Sequence, residues 1–133
     1  MIDKKHILLI ENNENEIEFF RDALEESGLD FFLSTARSIQ EAFTVPDRNA
    51  AKMIFVDVQL AMKHNIVLAR RLKSFYPGPV IFFSNIMRGQ LQKGLHENLN
   101  YVQLPASTQS MGRILRNLLA GSNVMLPNEY AGN

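Results

Sequence analysis

The run Met53–Val56, with the sequence MIFV, is continuously apolar, and Asp57 follows it directly. Such a run predicts a short strand that is covered on both faces, as in a parallel sheet. A carboxylate at the end of a buried strand is costly unless it is solvated, paired or functional. Because the carboxyl ends of the strands are where open parallel sheets bind ligands, Asp57 is the first candidate functional residue.

An apolar run followed by a helical segment occurs five times along the chain. The predicted strands are Ile7–Ile10, Phe31–Leu33, Met53–Val56, Val80–Phe83 and Tyr101–Leu104. The predicted helices are Glu14–Ser27 with Gly28 as its stop, a short one over Ile39–Phe43, one from about Lys63 to Phe75, one carrying Leu91, Leu95 and Leu99, and Met111–Leu119 with Ser107 or Thr108 as its cap. This alternation predicts a doubly wound α/β fold, a three-layer (βα)5 sandwich with a parallel sheet.

Length and composition predict one globular domain over residues 1–121 and a loose tail over residues 122–133. The chain has 133 residues, and 46% of them are hydrophobic, which is enough for one proper core. It has no cysteine, which excludes a disulfide and thiolate chemistry. Its 14 basic and 14 acidic residues balance, so no broad field attracts nucleic acid or an anionic membrane. Without a membrane-length apolar run or a signal peptide, the expected location is the cytoplasm.

Polar residues follow several of the predicted strands, and parallel strands bring their carboxyl ends to one edge of the sheet. The polar pairs at these ends are Glu11 with Asn12 after the first strand and Ser84 with Asn85 after the fourth, whereas the fifth strand ends at Leu104 and Pro105. Together with Asp57 they are expected to form one site.

The segment ILLIENNENEIEFFRDAL at residues 7–24 and the segment YVQLP at residues 101–105 carry a family resemblance. With the order of elements, they make residues 6–120 similar to the receiver domain of response regulators in two-component signalling. The resemblance implies a CheY-like, flavodoxin-like fold with sheet order 2-1-3-4-5. It also implies a phosphorelay signalling module rather than an enzyme, with at most self-phosphorylation and autodephosphorylation.

The same resemblance implies a role for each strand-end residue. Asp57 takes the phosphoacceptor position. Glu11, Asn12, Asp57 and the backbone carbonyl of Gln59 take the positions that hold Mg²⁺, the hard cation suited to oxygen ligands. Ser84 takes the place of the hydroxyl that binds a phosphoryl oxygen, and Tyr101 that of the aromatic switch residue.

Three substitutions at the predicted site depart from the family pattern. Leu104 occupies the place of the lysine that pairs with the phosphoryl charge, and no neighbouring residue from Gln103 to Ser107 supplies a cation. Asn12 replaces an aspartate, which leaves Glu11 and Asp57 as the two remaining carboxylates. Asn85 replaces the small residue that keeps the pocket open. We therefore expect an atypical receiver whose Mg²⁺ binding and phosphoryl switching are weakened or lost.

The expected partners are a histidine kinase or phosphotransfer protein and a downstream protein, with a homodimer through the last two helices and strand as a further option. Two alternatives stay open. Asp57, Glu11 and Ser84 could suffice for phosphotransfer with unusual kinetics, because a kinase supplies much of the positioning. The fold could also serve a small-molecule binder, although the acidic segment after the first strand lacks the glycine-rich loop that anionic cofactors need.

Overall fold

The structure of the chain is a computed structural model that describes residues 5–45, 50–64, 66–84, 101–105 and 107–120. Its elements in chain order are β1 Lys5–Ile10, α1 Glu14–Ser27, β2 Phe31–Ala36, α2 Ile39–Ala42, β3 Met53–Asp57, α3 Val58–His64, α4 Ile66–Phe75, β4 Val80–Ser84, β5 Tyr101–Gln103 and α5 Thr108–Ala120. The predicted helix around Leu91–Leu99, the predicted tail and Asn85 lie outside the described residues.

The five strands form one parallel sheet in the order β2-β1-β3-β4-β5, which confirms the expected fold class. The central pair is β1 and β3, in which Ile10 lies opposite Val56. The next residue on each strand, Glu11 and Asp57, therefore reaches the carboxyl edge of the sheet side by side. Register alone brings these two carboxylates together.

Alternate residues of the central strands are buried in two separate cores, one on each face of the sheet. In β1, Ile7 and Leu9 face a core shared with α1 and α5, while Leu8 and Ile10 face one shared with α2, α3 and α4. All four side chains are fully buried. Removing each of these side chains from water contributes roughly 1.5–3 kcal/mol to the stability of the fold. The sheet is therefore a stable support for the residues at its carboxyl edge.

Helices α1 and α5 pack closely at Gly112, where a side chain would meet the backbone of α1. A Cβ added to Gly112 would come within 3.0 Å of the carbonyl oxygen of Ala23. The Arg116 guanidinium donates to the carbonyl oxygen of Ser27 at 2.6 and 3.0 Å. At the other end of α5, Ser107 caps the helix by accepting a bond from the Ser110 amide at 3.1 Å, one of the two caps expected from the sequence.

The helix after β3 begins earlier than the sequence predicted. We expected it to start near Lys63, but α3 starts at Val58, directly after Asp57. The Asp57 side chain accepts a bond from the Gln59 amide at 2.8 Å and so satisfies an otherwise unbonded donor of the first turn. Among the described residues, no helix combines the length and apolarity that crossing a membrane requires.

Candidate functional site

Glu11 continues the path of β1 and is completely buried at the edge of the sheet. Its backbone amide donates to the carbonyl oxygen of Ala36 at 2.9 Å. Its Oε1 atom accepts bonds from the amides of Asn12 and Asn13 at 2.9 and 3.1 Å. Its Oε2 atom is buried and finds no hydrogen-bond donor in the described part of the chain. A buried acceptor without a donor is uncommon and calls for a proton or a cation.

Asp57 supplies the second carboxylate and is half-buried at the end of β3. Its bond from the Gln59 amide fixes the side chain at the amino end of α3. Gln59 belongs to the first turn of this helix. The structure thus shows the Gln59 amide bonded to Asp57, and the metal-binding role of the Gln59 carbonyl stays a prediction.

The two carboxyl groups titrate as a pair. The pKa of Glu11 is raised to about 8, mainly by burial, and also by the hydrogen bond that protonated Glu11 donates to Asp57 and by repulsion from the Asp57 charge, while bonds from the Asn13 and Asn12 amides lower it. Burial also raises the pKa of Asp57, while bonds from Glu11 and the Gln59 amide oppose that rise. The pair therefore retains a shared proton at neutral pH.

A cleft of about 90 Å³ opens above this pair. The described residues that line it are Glu11, Asn12, Asn13, Glu16, Asp57, Gln59 and Phe83. This lining holds three acidic side chains and no lysine or arginine. Even so, within the described ranges no three acidic, histidine or cysteine side chains are placed to hold a metal ion together. The donor set for a divalent cation therefore rests on the Glu11 and Asp57 carboxylates.

The strand ends on the other side of Asp57 have a different character. Ser84 is buried at the end of β4, and its carbonyl oxygen accepts a bond from the Leu104 amide at 2.7 Å. The Leu104 side chain is half-buried and packs against the core beneath α1 and α5. It also lines a second pocket of about 140 Å³, together with Asn15, Glu16, Phe19 and Pro105. Leu104 thus packs against the core and lies outside the described lining of the cleft.

The site residues expected from the sequence are brought together only in part. Glu11, Asn12, Asp57 and Gln59 line one cleft, whereas Ser84 and Leu104 lie at the neighbouring strand ends and outside its described lining. Tyr101 is the first residue of β5 and lies opposite Phe82 of β4.

Sequence reasoning missed two polar residues near the cleft. Glu16 stands three residues after Asn13, whose side chain caps α1 by accepting bonds from the Asn15 and Glu16 amides at 2.9 and 3.2 Å. This capping-box spacing could have identified Glu16 as a neighbour of Glu11. Arg37 follows the carboxyl end of β2, pairs with Glu14 and extends Nη1 to within 3.4 Å of the Asn12 carbonyl oxygen. Because the carboxyl ends of parallel strands meet at one edge of the sheet, the position of Arg37 after β2 could have identified it from the sequence.

Comparison with known proteins identifies the fold. No protein-family model and no curated protein sequence matches this chain. A response regulator from Thermotoga maritima superposes with a TM-score of 0.70 at 21% identity, over 90% of this chain and 100% of its own. The phosphorylated cyanobacterial phytochrome response regulator RcpA has a TM-score of 0.67 at 21% identity, over 92% and 98%. A CheY-like receiver domain from Methylobacillus flagellatus has a TM-score of 0.64 at 20% identity, over 86% and 98%. The chain thus has the fold of response-regulator receiver domains.

Proposed function

We propose that this chain is an atypical receiver domain of two-component signal transduction, in which phosphoryl switching is weakened or lost and signalling proceeds through protein–protein contacts. One observation carries the proposal. The described lining of the cleft beside Asp57 holds three acidic side chains and no cation, while Leu104 packs into the core from the position of the family's lysine. Among the described residues that line the cleft, a phosphoryl group at Asp57 would therefore find no ammonium to pair with.

The position of Asp57 supports its role as the phosphoacceptor. An oxygen of its carboxylate would attack the phosphorus of a phosphohistidine or a small phosphodonor. The bond from phosphorus to the donor would break, the donor group would leave with the electron pair, and an acyl phosphate would form on Asp57. The bond from the Gln59 amide holds the attacking side chain at the mouth of the cleft. The shared proton opposes attack, because only the ionised carboxylate is a nucleophile.

The Glu11 and Asp57 pair fits a divalent cation, although weakly. The unbonded Oε2 atom of Glu11 offers a buried acceptor, and ionised carboxylates are the ligands that Mg²⁺ prefers. When bound, Mg²⁺ supplies positive charge that offsets the repulsion between the carboxylates and an incoming phosphoryl group. Asn12 can add one neutral oxygen. In our proposal the backbone carbonyl of Gln59 adds a further oxygen, while Asn12, in place of an aspartate, leaves this cation with less negative charge than a standard receiver provides.

The loss of the counter-charge bears on the switch as well as on the chemistry. In our proposal the hydroxyl of Ser84 binds a phosphoryl oxygen, Asn85 narrows the entrance to the pocket, and Tyr101 is the aromatic switch residue. With Leu104 held in the core, phosphorylation would exert little pull on β5. The resting conformation would then set which partner binds.

The partners follow from this role. We propose a histidine kinase or phosphotransfer protein upstream, a downstream protein, and a homodimer through α5, β5 and the helix predicted around Leu91–Leu99. The cleft disfavours a small-molecule role, since about 90 Å³ is well below the roughly 300–1,000 Å³ of cofactor pockets. Its acidic lining also repels anionic cofactors.

Acyl phosphate formation tests the proposal directly. The protein is incubated with acetyl phosphate and Mg²⁺, and the phosphorylated fraction is measured over time by intact-mass spectrometry. We expect slow and substoichiometric labelling that Asp57→Asn abolishes, and a higher yield in Leu104→Lys. Rapid, stoichiometric labelling of the wild-type protein at Asp57 would contradict the claim of impairment. Labelling that survives Asp57→Asn would contradict the assigned phosphoacceptor.

A further inference from the structure

Helix α4 carries a concentration of positive charge that the fold does not use. Arg70, Arg71 and Lys73 are all exposed, and the helix contains no acidic residue. Within the described part of the chain, ion pairs join Arg21 to Glu18 and Arg37 to Glu14, and none involves these three cations. The chain as a whole is neutral, but its charges are unevenly distributed. The basic residues of α4 lie on one face of the sheet, and the acidic residues of α1 lie on the other.

The same helix presents apolar side chains to solvent. Val67 is 57% exposed and Phe75 is 64% exposed, the two highest values among the large hydrophobic residues that the structure describes as exposed. The spacing Val67, Arg71, Phe75 is i, i+4, i+8, which places the three in one row along the helix. At the end of this row, the Phe75 ring meets that of Phe43 edge-on at 6.3 Å. The outer face of α4 thus combines apolar and basic side chains and reaches Phe43 at the end of α2. We call this surface the ridge.

We propose that the outer face of α4 is a docking surface for an acidic, amphipathic segment of a partner protein. Carboxylates of that segment would pair with Arg70, Arg71 and Lys73, and its apolar side chains would cover Val67 and Phe75. Aromatic and arginine side chains are the residues most enriched at the centres of protein interfaces. The proposal holds whether or not Asp57 accepts a phosphoryl group.

Two other occupants fit the ridge less well. A second copy could offer the acidic face of α1, including Glu18, Asp22 and Glu25, but that face exposes no large hydrophobic residue to cover Phe75. Such a contact would also join unlike surfaces and lead to rings or open chains. Binding to an anionic membrane would be favoured by only about 1 kcal/mol for each of these cations. Arg71 also interrupts the apolar row that would enter the lipid.

The test uses a fluorescein-labelled synthetic peptide that places Glu and Leu side chains at one-turn spacing along one helical face. Binding to the full chain is followed by fluorescence anisotropy. We expect saturable binding that rising salt weakens, and roughly tenfold weaker binding for each of Arg71→Glu and Phe75→Gln. Arg113→Glu is the matched control, because Arg113 is exposed on α5 and the net charge changes equally. It should bind the peptide as the wild-type protein does.

Three results would overturn the proposal. The first is equal binding of the peptide by the wild-type protein and the α4 variants, or equal binding of a peptide in which every Glu is replaced by Lys. The second is a lack of saturable peptide binding. If the protein then sediments with phosphatidylserine vesicles, the surface binds a membrane and not a peptide. The third is self-association in sedimentation equilibrium that Arg71→Glu abolishes. Because each substitution is at an exposed position, circular dichroism should show an unchanged fold in every variant.

Discussion

The two halves of the strand-end site differ in chemical character. On the β1 and β3 side, Glu11 and Asp57 meet as a polar pair in a water-accessible cleft. On the β4 and β5 side, Ser84 is buried and Leu104 packs into the core. Our proposal assigns acyl phosphate formation to the first half, whereas in the second half Leu104 occupies the position at which the proposal would expect a lysine. Chemistry and switching therefore need not be lost together, and each half can be tested separately.

The largest expected effect is the pH dependence of the Glu11 and Asp57 half. Burial and the neighbouring Asp57 together raise the pKa of Glu11 from 4.5 to about 8, so the folded state binds more protons than the unfolded state between these values. The stability from this proton is fully present below pH 4.5 and is lost as the pH rises through about 8. Urea unfolding across this range should show the free energy of unfolding falling with pH, by on the order of a few kcal/mol.

Glu11→Gln should flatten that dependence, because the variant has no carboxyl group to protonate at this position. The matched control is Glu25→Gln, an exposed position on α1 that should keep the wild-type slope. An unchanged slope in Glu11→Gln would show that the two carboxyl groups do not share a proton.

The next effect concerns the other half of the site. Leu104→Lys should lower the free energy of unfolding by about 2 kcal/mol, because apolar packing against the core is replaced by a charged side chain. Thermal and urea unfolding measure this change, with Leu104→Met as the control that keeps the volume. If Leu104→Lys were as stable as the wild-type protein, the side chain would have a solvated place at the cleft, and Leu104 would not be a core residue.

A smaller effect is expected where α1 begins. Asn13→Ala removes the side chain that accepts bonds from the Asn15 and Glu16 amides, which should lower the free energy of unfolding by about 1 kcal/mol. Asn15→Ala is the control, because the Asn15 bond comes from its backbone. Equal stability of the two variants in urea unfolding would contradict the capping role of Asn13.

The smallest expected effect is stabilisation by Mg²⁺. A weak site gains about 0.4 kcal/mol when the Mg²⁺ concentration equals Kd. Because the cation competes with the shared proton, the rise in Tm should be larger above the pKa of Glu11, about 8, than well below it. Differential scanning fluorimetry measures this rise, and Asp57→Asn should remove it. The same rise in Asp57→Asn would place the ion elsewhere.

Most of the fold could be predicted from the sequence because continuous apolar runs such as Met53–Val56 identify buried parallel strands. The start of α3 could not, because it depends on the bond that Asp57 accepts from the Gln59 amide. At the site, strand ends located Glu11 and Asp57. The burial of Leu104 depends on long-range packing, which the local sequence YVQLP does not encode. The identity of the residue at 104 showed the missing charge, but only the structure showed where the side chain goes.

Hydrogen exchange over residues 84–107, with and without beryllofluoride and Mg²⁺, tests the weakened switch most directly. Beryllofluoride imitates a phosphoryl group at Asp57, so an intact switch would transmit its binding to β4 and β5. With Leu104 in the core and no cation in the described lining of the cleft, we expect protection across these amides to stay unchanged. Broad new protection from residue 84 to residue 107 would contradict this account and indicate a receiver that still switches.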